Sequence, residues 1–121
     1  MDTANRVIRS RGNAQVKRLL RLATSSRERR ETGTTILDVR TPQEFAQGHL
    51  PGAVNVDVSS PAFAAQVASL DPSAPYAVYC RSGNRSGVAV TEMGAQGFTD
   101  AYHLQGGITA WQEAGGEVVT T

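Results

Sequence analysis

The run Tyr76-Ala77-Val78-Tyr79 leads straight into the chain's only cysteine, and a turn and a helix start follow at once. The apolar run reads as a short buried strand. Cys80-Arg81-Ser82-Gly83-Asn84-Arg85-Ser86 is polar and carries a glycine for the bend. Gly87-Val88-Ala89-Val90 then opens a helical segment, expected from about Ser86 to Gln96 and ending at Gly97. A strand that passes through a tight loop into a helix belongs to an α/β architecture with a parallel sheet.

The same alternation runs through the rest of the chain. Ile36 to Val39 reads as a first strand interrupted by Asp38, and Val54-Asn55-Val56 as a second, short one. Thr41-Pro42-Gln43-Glu44 supplies an N-cap, a proline at the first helical position and a reciprocal glutamate. A helix is expected to start at Ser60-Pro61, with Phe63, Val67 and Leu70 on its buried side and Asp71-Pro72 ending it. Phe98 to Leu104 gives a further strand, and Gly107 to Ala114 a last helix with Ile108 and Trp111 inward. In such sheets ligands gather at the carboxyl ends of the strands, so Asp38-Val39-Arg40 and Cys80 should meet in space.

A length of 121 residues fits one compact unit, and no apolar run is long enough to cross a membrane. The N-terminus lacks the apolar core of a signal peptide, and one cysteine cannot close an internal disulfide. A cytoplasmic, reducing location is expected, without membrane contact. The net charge of +1 conceals a division. Residues 1–33 hold nine Lys and Arg against three acids, a net of +6, whereas residues 34–121 hold three against eight, a net of −5. Gly33-Thr34-Thr35 is the expected junction between this basic helical segment (1–33) and the main domain (34–121). Within the segment, Val16, Leu19, Leu20 and Ala23 follow Gly12-Asn13 at helical spacing, and Ser25-Ser26-Arg27-Glu28 has the form of a capping box. Its charge is compatible with RNA contact, but on charge alone a solvated basic helix is the favoured reading.

All three arginines of the acidic part fall in two motifs, Arg40 after the first strand and Arg81 with Arg85 in the cysteine loop. Loop amides and a helix N-terminus stabilise an anion, which lowers a thiol's pKa and marks Cys80 as a nucleophile. Gly83 supplies a conformation closed to other residues, and Asn84 tolerates similar angles. Ser82 and Ser86 are candidates to hydrogen-bond an anion held in the loop, with Ser86 equally suited to cap the helix. Arg81, directly after the cysteine, is the candidate for binding an anionic substrate, while Arg85 either grips substrate or braces the loop. Asp38 is expected to brace the loop through its amides or an arginine, and Arg40 to pair with Glu44. His103, in a strand reading into Gly106-Gly107, is assigned to packing, and His49 falls in the turn Gly48-His49-Leu50-Pro51-Gly52. Two widely spaced histidines with one cysteine make a poor metal site.

Four stretches carry a family resemblance. They are Ile36-Leu37-Asp38-Val39-Arg40-Thr41-Pro42-Gln43-Glu44-Phe45, Gly48-His49-Leu50-Pro51-Gly52-Ala53-Val54-Asn55, the cysteine loop, and Tyr102-His103-Leu104-Gln105-Gly106-Gly107-Ile108-Thr109-Ala110-Trp111. In this order residues 34–119 resemble the rhodanese domain, the single-domain thiosulfate sulfurtransferases in particular. The resemblance implies a rhodanese-like fold with a central parallel five-stranded sheet flanked by helices, and needs no cofactor. It implies that Cys80 takes sulfane sulfur from a small anionic donor such as thiosulfate, holds it as a persulfide and passes it to cyanide or a thiol. Mercaptopyruvate is the other donor considered. The alternative is a persulfide carrier serving a protein partner without turnover. Four residues separate Cys80 from Arg85, the loop length of sulfurtransferases and not the longer loop of phosphatase relatives. Residues 6–33, with Asn13-x2-Val16-Lys17 and Arg29-Arg30-Glu31-Thr32-Gly33, also resemble the opening of the substrate-binding part of RNA ribose methyltransferases.

Overall fold

Short strands, all but the edge strand at Val54-Asn55 largely buried, organise the computed structural model, which describes residues 26–120. They are β1 (Thr35–Asp38), β2 (Val54–Asn55), β3 (Tyr76–Tyr79) and β4 (Ala101–His103), in the spatial order β2-β1-β3-β4 and all parallel. Asp38 stands opposite Tyr79 and Val78 opposite His103, so the carboxyl ends of β1 and β3 lie side by side. The sheet therefore has four strands among the described residues, where five were expected. The C-terminal stretch offers only a single antiparallel bridge, His49 with Val119, closed by N–H to carbonyl bonds of 2.8 and 2.9 Å. One bridge does not make a ladder strand. The basic helix expected around Val16 to Ala23 lies outside the described residues.

The connecting helices are α1 (Ser26–Thr32), α2 (Pro42–Gln47), α3 (Phe63–Ala68), α4 (Asn84–Ala95) and α5 (Gly107–Glu113). The capping box of α2 is fully formed. Glu44 N–H donates to Thr41 Oγ1 at 3.2 Å and Thr41 N–H to Glu44 Oε1 at 3.1 Å. Helix α3 starts later than Ser60-Pro61, because Ser60 first closes a turn, its carbonyl accepting from Phe63 and its Oγ from Ala62. Helix α4 starts two residues before Ser86, because Gly83 with φ of 113° makes the chain reversal that caps it. Among the described residues no helix is long and apolar enough to cross a membrane.

Strand alternation divides the core between the two faces of the sheet. Leu37, Tyr76, Val78 and Cys80 face one side with Phe63, Val67, Val90 and Met93. Ile36, Ala77 and Tyr79 face the other with Leu104, Ile108 and Trp111. The period of two that places Val78 also turns Cys80 towards the side covered by α4.

At the carboxyl ends of the strands a buried polar node replaces apolar packing. The Asp38 carboxylate accepts from Arg40 N–H and Nε at 2.9 Å, from Arg40 Nη2 at 2.6 Å and from Tyr79 Oη at 2.7 Å. Arg40 Nη2 also donates to the Gly48 carbonyl, Leu50 N–H donates to Tyr79 Oη, and Asn55 Nδ2 spans the carbonyls of Asp38 and Arg40. Burial disfavours the Arg40 cation, but its hydrogen bonds and charge contact with Asp38 outweigh that and raise its pKa. Desolvation, the Asp38 charge and the bond to Asp38 all push Tyr79 up, so it stays neutral and donates. Removing one member of such a pair strands the other in a dry site. Asp38→Ala should lower the unfolding free energy by about 3–5 kcal/mol, read by urea denaturation. A change below about 1 kcal/mol, the size of an exposed pair, would mean that the node does not hold the strand ends together.

Candidate active site

Cys80 follows the last residue of β3 and is 1% exposed. Gly83 N–H donates to its Sγ at 3.0 Å, and the thiol donates to Ser86 Oγ at 3.5 Å. What aims the loop is the start of α5. Ile108 N–H donates to the Cys80 carbonyl at 2.9 Å and Thr109 N–H to the Arg81 carbonyl at 3.2 Å. In a trans peptide unit the N–H points opposite to the C=O. Carbonyls drawn towards α5 therefore turn the N–H groups of Arg81 and Ser82 the other way, into the loop.

This close approach explains two glycines. Gly107 has φ of 60°, and a Cβ there would collide with the carbonyls of Cys80 and Arg81. Gly83 has φ of 113°, as its sequence position suggested, and a Cβ on it would stand 3.3 Å from Gly106 N. Asn84 needs no such freedom. It is the first residue of α4, and no described residue other than glycine has positive φ.

Burial pushes the Cys80 thiol up, but the Ser86 hydroxyl and the amides of Ser86, Gly83 and Ser82 more than compensate. The net shift is downward from the ordinary value of 9.0. A sulfur hidden from water yet stabilised as an anion is a poised nucleophile.

The two ion pairs are exchanged relative to expectation. Arg40 pairs with Asp38 and not with Glu44, because it precedes the Thr41 cap and turns back along the strand end. Glu44 instead takes Arg85 in a bidentate pair, 2.8 and 3.0 Å, across the gap between α2 and α4. That hydrogen bond, despite some burial, holds the Glu44 carboxyl at about 2. Arg85 is thus a brace of the loop, and Asp38 supports the strand ends without touching the loop arginines. Arg81 is exposed, and among the described residues its side chain makes no ion pair. It lines a cavity of about 440 Å³ with Arg40, Glu44, Gln47, Thr109 and Gln112.

Two further assignments change. Ser86 is not the cap of α4 but a fully buried residue of its first turn, whose Oγ donates to the Gly83 carbonyl at 3.1 Å. His103 does more than pack, since its Nδ1 lies 3.0 Å from Ser86 Oγ. His49 stacks on Phe45 at 3.7 Å and is 2.8 Å from the Phe45 carbonyl through Nδ1. The contact of His103 is the one that sequence reasoning missed. Its signal lay in the strand register, which sets His103 beside Val78, two residues before Cys80.

A family model of the rhodanese-like domain matches residues 22–114. The chain belongs to that family. It is 41% identical over 87 residues to the thiosulfate sulfurtransferase GlpE of Pseudomonas aeruginosa, covering 72% of this chain and 77% of the relative. Among solved structures, a rhodanese-related protein from Thermoplasma volcanium is 32% identical with a TM-score of 0.67, covering 82% of this chain and 95% of that one. A rhodanese-like domain from Anabaena is 26% identical with a TM-score of 0.74, covering 95% of this chain and 80% of its own. The methyltransferase resemblance of residues 6–33 finds no support. The rhodanese-like match begins at residue 22, inside that stretch, and most of the stretch lies outside the described residues. Spaced basic residues around a few apolar ones are a pattern that many amphipathic helices share.

In this rhodanese-like domain Gly107 is the point at which α5 and the cysteine loop touch. Gly107→Ala should destabilise the fold by about 2 kcal/mol or more, through the clash and the positive φ together. It should also slow alkylation of Cys80 at neutral pH. Alkylation at the wild-type rate would show that the α5 contact does not set the loop.

Proposed function

We propose that this rhodanese-like domain is a thiosulfate sulfurtransferase that carries sulfane sulfur on Cys80. The observation that carries the reading is the set of hydrogen bonds converging on one buried sulfur, which lowers its pKa against the cost of burial. The GlpE relatives lend it support through their name. The Cys80 thiolate attacks the outer sulfur of thiosulfate, a sulfur–sulfur bond to Cys80 forms, and the bond to the sulfonate sulfur breaks as sulfite leaves with its electron pair. The persulfide then gives its outer sulfur to cyanide or a thiolate, and the Cys80 thiolate returns. Preorganised amides stabilise negative charge in both steps. Arg81, the loop cation without an ion pair among the described residues, supplies attraction for a dianionic donor, whereas Arg85 is already neutralised by Glu44.

The outer sulfur of thiosulfate stands clear of its sulfonate, which suits attack by a thiolate that is 1% exposed. With one cysteine in the 121 residues the persulfide has no internal thiol to resolve it, so the acceptor comes from outside. A lone thiol of this kind suits a reducing compartment such as the cytoplasm. The same burial favours the second reading, a carrier that loads sulfur and releases it only to one protein partner.

Thiocyanate formation from thiosulfate and cyanide tests the two together. Many turnovers per protein, falling to the uncatalysed background in Cys80→Ser, are expected of the enzyme. One sulfur taken up per protein without turnover would replace the enzyme with the carrier. No uptake at all would overturn both.

A further inference from the structure

We propose that His103 is a positioning residue for the Cys80 sulfur, acting through the Ser86 hydroxyl. The proposal rests on the sulfurtransferase reading only in that it concerns the same sulfur.

The Ser86 hydroxyl has more neighbours than protons to give them. Ser86 Oγ has three neighbours: Cys80 Sγ at 3.5 Å, the Gly83 carbonyl at 3.1 Å and His103 Nδ1 at 3.0 Å. The residue is fully buried, so water does not adjust the balance. A hydroxyl has one proton to give and two lone pairs to offer. While Cys80 is a thiol, S–H donates to Oγ, and the hydroxyl proton goes to the Gly83 carbonyl or to a bare Nδ1. Once Cys80 is a thiolate, the sulfur only accepts, and the hydroxyl must turn its single proton towards it. The Gly83 carbonyl tolerates that loss, because Gly87 N–H also donates to it at 3.2 Å. Nδ1 does not tolerate it unless it carries a proton, since a bare Nδ1 would set lone pair against lone pair at 3.0 Å. The Nδ1–H form of His103 is therefore the one that commits Ser86 to the thiolate.

The placement of the ring fits this role. Strand β4 sets His103 beside Val78, and α4 backs the ring where it has no side chain. A Cβ at Gly87 would lie 3.8 Å from His103 Cε1 and 4.0 Å from Nε2, within ordinary contact. The charged groups that act on the sulfur from neighbouring elements are Arg85 of α4, with Glu44 of α2 paired to it and Asp38 of β1 acting on it. Exchanging His103 leaves all three in place.

The test follows Cys80 ionisation by the ultraviolet absorbance of its thiolate, with Cys80→Ser as background, and the rate of sulfur loading from thiosulfate against pH. His103→Phe keeps a flat ring but removes Nδ1. It should move the Cys80 midpoint to higher pH and slow loading at neutral pH about tenfold, the size of one hydrogen bond to a charged group, with the rate recovering as pH rises. Ser86→Ala should shift the midpoint in the same sense, and the double variant no further than Ser86→Ala alone. His103→Asn, which retains a donor near the Nδ1 position, should lie closer to wild type than His103→Phe. A wild-type midpoint in His103→Phe, or shifts that add in the double variant, would overturn the proposal. Should His103→Phe fail to fold, the nitrogen chemical shifts of His103 in the wild-type protein decide. A protonated Nδ1 in the thiolate form is expected, and a bare Nδ1 overturns the assignment. A wild-type protein that never loads sulfur would instead sink the sulfurtransferase reading while leaving the ionisation result standing.

Discussion

The planarity of the peptide unit is the constraint on which this site depends. Each amide gives its N–H one way and its carbonyl the other, so a loop can point its donors inward only if something accepts the outward carbonyls. Here the first N–H groups of α5 donate to the carbonyls of Cys80 and Arg81. The helix start, left with unsatisfied donors by its own geometry, and the loop, left with unsatisfied acceptors, complete each other. Gly107 lets the two backbones meet, and Gly83 lets the chain turn within so few residues.

Around this backbone arrangement the side chains divide the work by charge. Asp38 and Arg40 tie the ends of β1, β2 and β3 into one node and keep the platform beneath the loop fixed. Glu44 is used twice, closing the capping box of α2 and holding Arg85 of α4. Two of the three arginines outside the basic segment are thus absorbed by structure, and the potential around Cys80 comes mainly from amide and hydroxyl dipoles. Dipoles fixed by helices need little reorganisation when charge moves onto a sulfur, which suits the proposed alternation of thiolate and persulfide.

Much of this was legible in the residues. The strand Tyr76 to Tyr79 and the capping box at Thr41 depend on local patterns and fall where their sequence puts them. The left-handed turn at Gly83 is equally local. What escaped is set by partners distant in the chain. Arg40 and Glu44 are four residues apart, but only Glu44 is in a helix, so their partners follow from the path of the chain after β1. Ser86 looked like a cap because the start of α4 is decided by Gly83 and not by the first hydroxyl. The contact between His103 and Ser86 needs the β3–β4 register and the depth of α4 at once. A fifth strand was an inference from likeness, and the described residues form four, with the single bridge between His49 and Val119 besides.

The chemistry proposed for Cys80 stands on its ionisation, and titration of the thiolate by its ultraviolet absorbance, against the Cys80→Ser protein, measures it directly. Because the hydrogen bonds outweigh burial, the thiolate should persist at pH values where an ordinary thiol is protonated, with a midpoint below 9.0. A midpoint at or above that value would mean that burial prevails, and that the loop amides do not hold an anion.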